Sequence, residues 1–279
     1  MINGLTEIVA HIGYPTHAFK APSIYNPWFE QSGVNAVVVP MACQAKHYPE
    51  FLRSLFRLDN VRGALITMPH KVTTVGLVDV LSPNAAIAGA CNAVRRLSDG
   101  RLQGDMFDGE GFVLGLQRKG MALKRARALV VGNGGVGCAI AASLAAAGVN
   151  RMDLFDLDGD ATRGLAQRLL RHYPDLSLRT GVKDPTGCDL VVNATPMGMR
   201  DGDAMPMDVA RIDASTFVGE VVMQAEMTAF LAAARLRGCK VQVGSDMLFE
   251  QIPAYLDFFG YPVTSPEVLR SLSRLSYQN

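Results

Sequence analysis

The chain has 279 residues, of which 49% are apolar and 19% are charged, and its formal net charge is +1. This length and composition suit a soluble globular protein of one large domain or two ordinary ones. Acidic and basic residues are interleaved, which argues against a nucleic-acid or anionic membrane partner and favours a small-molecule ligand. No apolar run is long enough to span a membrane, and residues 1–7 lack a signal-peptide pattern.

The cysteines and histidines indicate neither disulfides nor a metal site. The five cysteines are far apart and include no C-x-x-C spacing, so we interpret them as reduced thiols of a cytoplasmic protein. The five histidines show no H-x-x-x-H or similar clustering, so we expect no metal.

The first third of the chain predicts a sheet of its own, flanked by helices. Short apolar runs alternate with stretches of helical periodicity, which favours α/β construction with largely parallel strands. Residues 92–103 read as a β-hairpin with a Ser98-Asp99-Gly100 turn. The remaining predicted elements are strands over 8–13, 36–41 and 63–67, and helices over 23–31, 49–58 and 108–119.

The rest of the chain predicts a doubly wound, Rossmann-type sheet. Its predicted strands are 127–131, 152–156, 189–193, 216–222 and 240–243, and a helix covers 138–147. Two final amphipathic helices, 247–259 and 265–276, have no strand between them, so we expect them to return to the first domain. The predicted domains are 1–108 with 246–279 for substrate and catalysis, and 109–245 for the dinucleotide.

A glycine-rich turn between the strand 127–131 and the helix 138–147 predicts a dinucleotide site. Glycine is needed there for the tight turn and for close approach of the backbone to pyrophosphate, whose charge the helix N-terminus stabilises. The alternative is a plain strand-to-helix turn. The candidate cofactor residues of the turn are Gly132, Asn133, Gly134, Gly135, Val136 and Gly137.

An acidic residue and a later loop complete the expected cofactor site. Asp156 ends the next strand about twenty residues on, where it can accept hydrogen bonds from the adenosine ribose, although a helix cap is an alternative role. Together with Asp158 it would repel a 2′-phosphate, so NAD is preferred and NADP is possible. Asn193, Thr195 and Pro196 follow a buried strand and are expected to line the nicotinamide side.

Lys71 and Asp108 are the candidate acid–base pair. Hydride transfer to or from a carbinol also moves a proton, which a lysine with an aspartate can handle. Both residues lie at ends of predicted elements, where catalytic groups can converge. Taken singly, Lys71 also suits a solvated helix position and Asp108 a helix N-cap. His70 and His47 have no identifiable carboxylate partner, so neither is given a catalytic role.

These motifs, in this order and over nearly the whole chain, resemble the shikimate and quinate dehydrogenase family. The resembling stretches are Gly13-Tyr14-Pro15 with Lys20 and Pro22, Ile66-Thr67-Met68-Pro69-His70-Lys71, Gly89-Ala90-Cys91-Asn92-Ala93, Gly104 to Gly109, and Gly244 with Met247 to Gln251. The resemblance implies an NAD(P)-dependent alcohol dehydrogenase of aromatic amino acid biosynthesis with Lys71 and Asp108 as the catalytic pair. It further implies substrate contacts from Thr67, Asn92 and Gln251, and cofactor contacts from Gly244 and Met247.

The chain departs from the family pattern in the substrate loop. The family has two serines there that bind the substrate carboxylate, whereas Phe19 and Ala21 stand at those substrate-binding positions. Met106-Phe107, Leu65 and Met223 also replace polar residues of the family. We therefore expect an altered pocket for a cyclic hydroxy acid such as shikimate, quinate or a relative, in a monomer or homodimer. The alternatives are a methylene-tetrahydrofolate dehydrogenase-like enzyme and an NAD-binding sensor on the same scaffold.

Overall fold

The computed structural model describes residues 2–200 and 202–276. Within them the chain divides into two compact units, a first unit of residues 2–107 with 251–276 and a second unit of residues 108–250. Met1 and residues 277–279, which the predicted substrate domain includes, lie outside the described residues. Among the described residues, every helix is too short or too polar to cross a lipid bilayer.

The first unit is built on a mixed six-stranded sheet with the order β2-β1-β3-β5-β6-β4. Strands β1, β2 and β3 are parallel, β5 runs antiparallel to β3, and β5 and β6 form the predicted hairpin. The strands are β1 Glu7–Gly13, β2 Ala36–Ala42, β3 Val61–Ile66, β4 Val80–Leu81, β5 Ala93–Arg96 and β6 Leu102–Asp105. The helices are α1 Pro22–Ser32, α2 Tyr48–Leu55, α3 Lys71–Thr74, α4 Pro83–Ala88, the second half of α9 Gly244–Phe259, and α10 Pro266–Leu272.

One core of the first unit forms where α2 covers the sheet. Ile12, Leu52, Ile66 and Val94 are each at most 2% exposed and belong to a single cluster. Burying each such side chain contributes about 1.5 to 3 kcal/mol relative to leaving it in water. This core fixes the C-terminal ends of β1 and β3, from which the substrate-side loops leave.

Two arginines attach the end of α9 to the first unit. Arg95 of β5 donates to the Phe258 carbonyl at 2.5 Å, and Arg62 of β3 donates to the Phe259 carbonyl at 2.6 Å. The last carbonyls of a helix have no partner within the helix, and cationic side chains there also suit the helix dipole. The first unit therefore includes residues that are distant in sequence.

The second unit contains a parallel six-stranded sheet with the order β12-β11-β10-β7-β8-β9. Its strands are β7 Arg127–Val131, β8 Arg151–Phe155, β9 Ser177–Thr180, β10 Leu190–Asn193, β11 Phe217–Glu220 and β12 Lys240–Gln242. Its helices are α5 Asp108–Arg118, α6 Gly135–Ala146, α7 Gly159–His172, α8 Ala229–Leu236 and the first half of α9, and residues 209–211 form a 3₁₀ turn. The order reverses between β7 and β10, which confirms the predicted doubly wound topology and marks the edge where such sheets bind ligands.

Small residues let α5 and α6 approach closely. A Cβ on Gly109 would overlap the backbone carbonyl of Ala139, so a larger residue cannot be placed there without moving a helix. Gly115, also on α5, faces Gln242, whose amide donates to the Phe112 carbonyl at 3.0 Å. The glycines of α5 thus serve packing within the second unit.

Most predicted elements are present, and the differences lie at their ends and in short pieces. The helix predicted over 49–58 ends at Leu55, and the helix predicted over 265–276 ends at Leu272 because Ser273 is extended. Arg274 then donates its backbone N–H to the Ser23 carbonyl at 2.8 Å, which takes the chain along α1. The short elements β4, β9, α3 and α4 were not predicted because two to six residues show no periodicity. All five cysteines are free and buried.

Candidate active site

Lys71 is the first residue of α3, directly after the loop that follows β3. The Thr67 N–H donates to the Ile12 carbonyl at 2.9 Å, and the His70 N–H donates to the Thr67 carbonyl at 2.9 Å. On the other side, the Lys71 carbonyl accepts the Cys91 N–H at 2.9 Å. The backbone of this half-buried lysine is therefore tied to β1 and to the segment before β5.

The buried ring of His70, the residue before Lys71, anchors α3. The His70 ring lies within hydrogen-bonding distance of the Cys43 carbonyl, at 2.8 Å from Nε2, and stacks on Tyr48 with ring centroids 3.9 Å apart. The Tyr48 hydroxyl lies 2.6 Å from Thr74 Oγ1, which donates to the His70 carbonyl at 2.8 Å. Burial lowers the pKa of His70, which favours the neutral ring at this anchor. His47, by contrast, is exposed at the N-cap of α2.

Asn92 and Gln251 both carry unsatisfied polar atoms within the first unit. Asn92 is fully buried, and its Oδ1 accepts the Phe107 N–H at 3.0 Å, whereas its Nδ2 has no hydrogen-bond partner among the described residues. Gln251 is 6% exposed and its Oε1 is also without a partner in that part of the chain. Buried polar groups without partners are rare in folded proteins, so these two atoms are candidates for ligand contacts.

Phe19 and Ala21, at the predicted substrate positions, differ from each other in burial and in contacts. Ala21 is 5% exposed and precedes α1 without a side-chain cap. Phe19 is half-buried and stacks on the His11 ring with centroids 4.0 Å apart. A Cβ on Gly13 would lie 2.8 Å from Phe19 Cζ and would overlap Thr67 Cγ2, so Phe19 reaches the side of Thr67.

His11 was not predicted to belong to this site. It is 8% exposed within the buried strand β1, and its Nδ1 has no hydrogen-bond partner among the described residues. Burial, and then the positive charge of Lys71, lower the pKa of His11 to about 3. The only sequence signal was a polar residue in an otherwise apolar run.

The glycine-rich turn has the backbone geometry that a dinucleotide fingerprint requires. Gly132 has φ +96, and a Cβ there would lie 2.7 Å from the Ala194 carbonyl carbon, in the loop after β10. A Cβ on Gly137 would overlap the Gly132 carbonyl oxygen. Gly134 has open space instead, and Gly135 and Val136 begin α6, so the turn offers free backbone at a helix N-terminus.

Asp156 supports this turn from the end of β8. Its carboxylate accepts the Asn133 N–H at 2.5 Å and the Asp158 N–H at 2.9 Å. The cap of α7 is Asp158, which accepts the N–H groups of Asp160 and Ala161, so Asp156 is not the helix cap. The Asn133 amide donates to Thr162 Oγ1 at 2.9 Å, while its Oδ1 has no partner within the described chain.

A polar cluster follows β10 and β11 at the same edge of the sheet. Asn193 Oδ1 accepts both the N–H and the hydroxyl of Thr195, at 3.1 and 2.6 Å, and its Nδ2 donates to the Met197 carbonyl at 3.1 Å. The same Nδ2 lies 3.4 Å from Oε2 of Glu220, a fully buried carboxyl. Burial raises the pKa of Glu220 to about 7. Pro196 lies in the loop that this network shapes.

Other predicted residues of the second unit lie at helix starts. Gly244 begins α9, where a Cβ would overlap the Val222 carbonyl, and Met247 is 3% exposed one turn later. Asp108 begins α5 and is 3% exposed. Thus Asp108 and the cofactor candidates belong to the second unit, whereas Lys71 and the substrate candidates belong to the first.

Comparison with known proteins identifies relatives along almost the whole chain. The model of the shikimate dehydrogenase substrate binding domain matches residues 11–94, and that of the ThiF family matches residues 114–159, which include the glycine-rich turn. The shikimate dehydrogenase (NADP(+)) of Rubrobacter xylanophilus is 34% identical over 254 residues, covering 90% of this chain and 89% of the relative.

Two solved structures are similar over nearly their full length. Shikimate 5-dehydrogenase of Thermus thermophilus, in complex with NADP(H) and shikimate, has 27% identity and a TM-score of 0.85, with 96% of this chain and 99% of the other covered. Quinate dehydrogenase of Corynebacterium glutamicum, in complex with NAD, has 27% identity and a TM-score of 0.84, covering 96% and 98%. On these matches, the chain belongs to the shikimate dehydrogenase family of oxidoreductases.

Proposed function

We propose that the protein transfers a hydride between a nicotinamide dinucleotide and a ring carbinol of shikimate, quinate or a related cyclic compound. In the oxidising direction the hydride leaves the carbinol carbon for the nicotinamide, and the hydroxyl proton passes to the neutral amine of Lys71. In the reducing direction the Lys71 ammonium returns that proton. The product of the oxidising direction is the ring ketone, and the product of the reducing direction is the carbinol.

The observation that carries this proposal is the anchored Lys71 in a member of the shikimate dehydrogenase family. The contacts of His70, Tyr48 and Thr74 hold α3, and with it the backbone of Lys71, in place. Catalysis depends on holding the reacting groups within a fraction of an ångström of their productive positions, so such support is expected at an acid–base residue.

Initial rates of nicotinamide reduction with shikimate and quinate test the proposal. We expect Lys71→Met to lose about 100-fold or more in kcat while the protein still binds the dinucleotide, because a general acid–base group contributes about 10²- to 10⁴-fold. Lys46→Met, at an exposed lysine of the same unit, is the matched control and is expected to keep full activity. Equal activity of the two variants would refute the role of Lys71.

Asp108 is proposed as the second member of the catalytic pair, orienting the lysine and the substrate hydroxyl. Its burial and its position at the start of α5 are consistent with a fixed carboxylate. We expect Asp108→Asn to lower kcat/KM about tenfold or more while the dinucleotide Kd changes little. An unchanged kcat/KM would leave Asp108 with a structural role only.

We further propose a preference for NAD over NADP. Asp156 and Asp158 are carboxylates beside the glycine-rich turn, and the residue between them, Leu157, is 96% exposed and apolar. Arg163 is in an ion pair with Asp160. A ribose 2′-phosphate at this strand end would meet the negative charge of these two carboxylates. The relative from Rubrobacter xylanophilus is named for NADP(+), so this preference would distinguish the chain from it.

The ratio of kcat/KM for NAD to kcat/KM for NADP tests the preference. We expect at least a tenfold ratio in favour of NAD, and a shift towards NADP of similar size in Asp156→Ser combined with Leu157→Arg. Asp175→Ser, at an exposed acid of the second unit, is the matched control. A wild-type ratio in favour of NADP would contradict the assignment.

The comparisons do not favour a folate enzyme or a sensor. We retain as proposals a reducing cytoplasmic location, which five free buried thiols support, and a monomer or homodimer. Sedimentation of the purified chain measures the oligomeric state.

A further inference from the structure

An aromatic wall, made by the rings of His11 and Phe19, lies among the substrate candidates of the first unit. The two rings stack with centroids 4.0 Å apart and an interplanar angle of 27°. Phe19 Cζ reaches the space beside Gly13 and Thr67, and the charge of Lys71 acts on the His11 ring. The wall therefore belongs to the surroundings of both Thr67 and Lys71.

This wall offers a negatively charged group few hydrogen-bond donors, although the charge of Lys71 acts nearby. Burial and the neighbouring Lys71 keep the pKa of His11 at about 3, so the imidazole carries no charge at neutral pH. Two backbone donors of the loop are already engaged, since Tyr14 N–H donates to the Met68 carbonyl and Phe19 N–H to the Thr16 carbonyl, both at 3.0 Å. A carboxylate pressed against the wall would lose hydration without gaining those donors, which is costly.

Three of the unsatisfied polar atoms of the first unit are instead suited to hydroxyl groups. Asn92 Nδ2 can donate, Gln251 Oε1 can accept, and His11 Nδ1 can do either according to tautomer, and none of the three has a partner among the described residues. All three side chains are at least nine-tenths buried. A hydroxyl both donates and accepts, so a polyhydroxylated ring can satisfy them without bringing a charge.

We propose that the substrate is an uncharged polyhydroxylated ring compound, a cyclic polyol or its ketone, and that the His11–Phe19 wall selects it against carboxylate-bearing rings. This inference rests on the proposed hydride transfer and narrows its substrates to the uncharged relatives, so that shikimate and quinate are expected to be the poorer substrates. The apolar face of the ring would lie against Phe19, while its hydroxyls take the free atoms of Asn92 and Gln251. Pockets that combine an aromatic surface with a few placed polar groups are typical of small-molecule sites.

The test compares a charged ligand with an uncharged one that carries the same ring. Calorimetry measures the equilibrium binding of shikimate and of its methyl ester to the wild-type chain in the presence of reduced dinucleotide. Turnover is measured with oxidised dinucleotide for the same two compounds and for an uncharged cyclic polyol as a third substrate. We expect the ester to bind at least tenfold more tightly than the acid, and to have the higher kcat/KM. Tighter binding of the acid would overturn the proposal.

Two sets of variants locate the selectivity. Phe19→Ser with Ala21→Ser is expected to reverse the preference by tenfold or more towards the acid, because hydroxyl donors replace apolar surface. His11→Val is expected to raise KM for uncharged ligands about fivefold with the dinucleotide Kd unchanged, and His11→Asn, which keeps a neutral polar group, to recover part of that loss. An unchanged acid-to-ester ratio in the serine variant would refute the role of the wall.

The outcomes separate this inference from the proposed function. Lysine-dependent turnover in which the acid is preferred would leave the hydride transfer standing and overturn only the substrate class. Loss of all turnover with selective binding of the ester would overturn the proposed function while supporting a site for uncharged rings.

Discussion

Replacement of Glu220 by glutamine is expected to raise the free energy of unfolding above that of wild type. This gain is expected to be larger at pH 8 than at pH 5. The Glu220 side chain is fully buried at the end of β11, and burial raises its pKa from the ordinary value of 4.5 to about 7. Contacts with Thr228 and Asn193 offset only part of that effect. Oε1 has no hydrogen-bond partner among the described residues.

The size of the effect follows from proton linkage. Between pH 4.5 and 7 the folded protein holds a proton that the unfolded chain has released, so stability falls as pH rises through this window. At about 1.4 kcal/mol per pKa unit, the gap between 4.5 and about 7 corresponds to about 3 kcal/mol well above pH 7 and to less than about 1 kcal/mol at pH 5. Glutamine does not titrate, so the advantage of Glu220→Gln should grow by about 2 kcal/mol from pH 5 to pH 8.

Urea unfolding followed by circular dichroism at pH 5, 6, 7 and 8 measures this difference. Glu226→Gln, at an exposed glutamate of the same unit, is the control for the change of side chain. A stability difference for Glu220→Gln that stays constant within about 0.5 kcal/mol would show that the buried carboxyl titrates normally, and would refute the argument from burial.

Three further changes have definite expected outcomes. Gly137→Ala places a Cβ on the Gly132 carbonyl and should weaken dinucleotide binding about 100-fold in a fluorescence titration, or prevent folding. Tyr48→Phe removes the hydroxyl contact with Thr74 and should cost about 1 kcal/mol in urea unfolding. Asp153→Asn weakens bonds from two arginines to a buried carboxylate and should cost about 1.5 to 3 kcal/mol at pH 7. Those arginines outweigh burial and lower the pKa of Asp153, so this cost should shrink as pH falls below about 4.

Each of these changes has a matched control in the second unit. Gly164→Ala meets only the flexible end of an arginine at 3.5 Å and should bind the dinucleotide normally. Tyr173→Phe removes a hydroxyl that makes no hydrogen bond within the described residues, and Asp175→Asn changes an exposed acid. Losses in the controls as large as in the test variants would contradict the assigned contacts.

The sheets were predictable from the sequence because buried strands consist of runs of apolar residues. The stretch Leu129-Val130-Val131 followed by the glycine turn indicated both a central strand and its dinucleotide edge, and the structure confirms the strand and the turn. The Ser98-Asp99-Gly100 hairpin was predictable in the same way, since the turn needs the positive φ of Gly100. These strands and turns depend on residues that are neighbours in the sequence, so a short stretch of sequence is enough to predict them.

The candidate site was less predictable because contacts between distant residues decide it. A histidine in an apolar strand gives no sign of which ring it will stack on, and His11 meets Phe19 only because β1 and the following loop fold back. The pKa of Glu220 likewise depends on complete burial by neighbours from other elements. The anchor between Tyr48 and Thr74 joins side chains 26 residues apart. The periodicity of a sequence does not indicate contacts between residues that are so far apart along the chain.

The five buried cysteines give the protein a set of built-in reporters. Cys43 and Cys91 lie in the first unit, whereas Cys138, Cys188 and Cys239 lie in the second. A thiol reagent reaches a buried cysteine only when the surrounding structure opens, so the labelling rate of each measures the free energy of that opening. Mass spectrometry of labelled peptides can therefore follow the two units separately in the unmodified chain, and a ligand that stabilises one unit alone would slow the labelling of its cysteines alone.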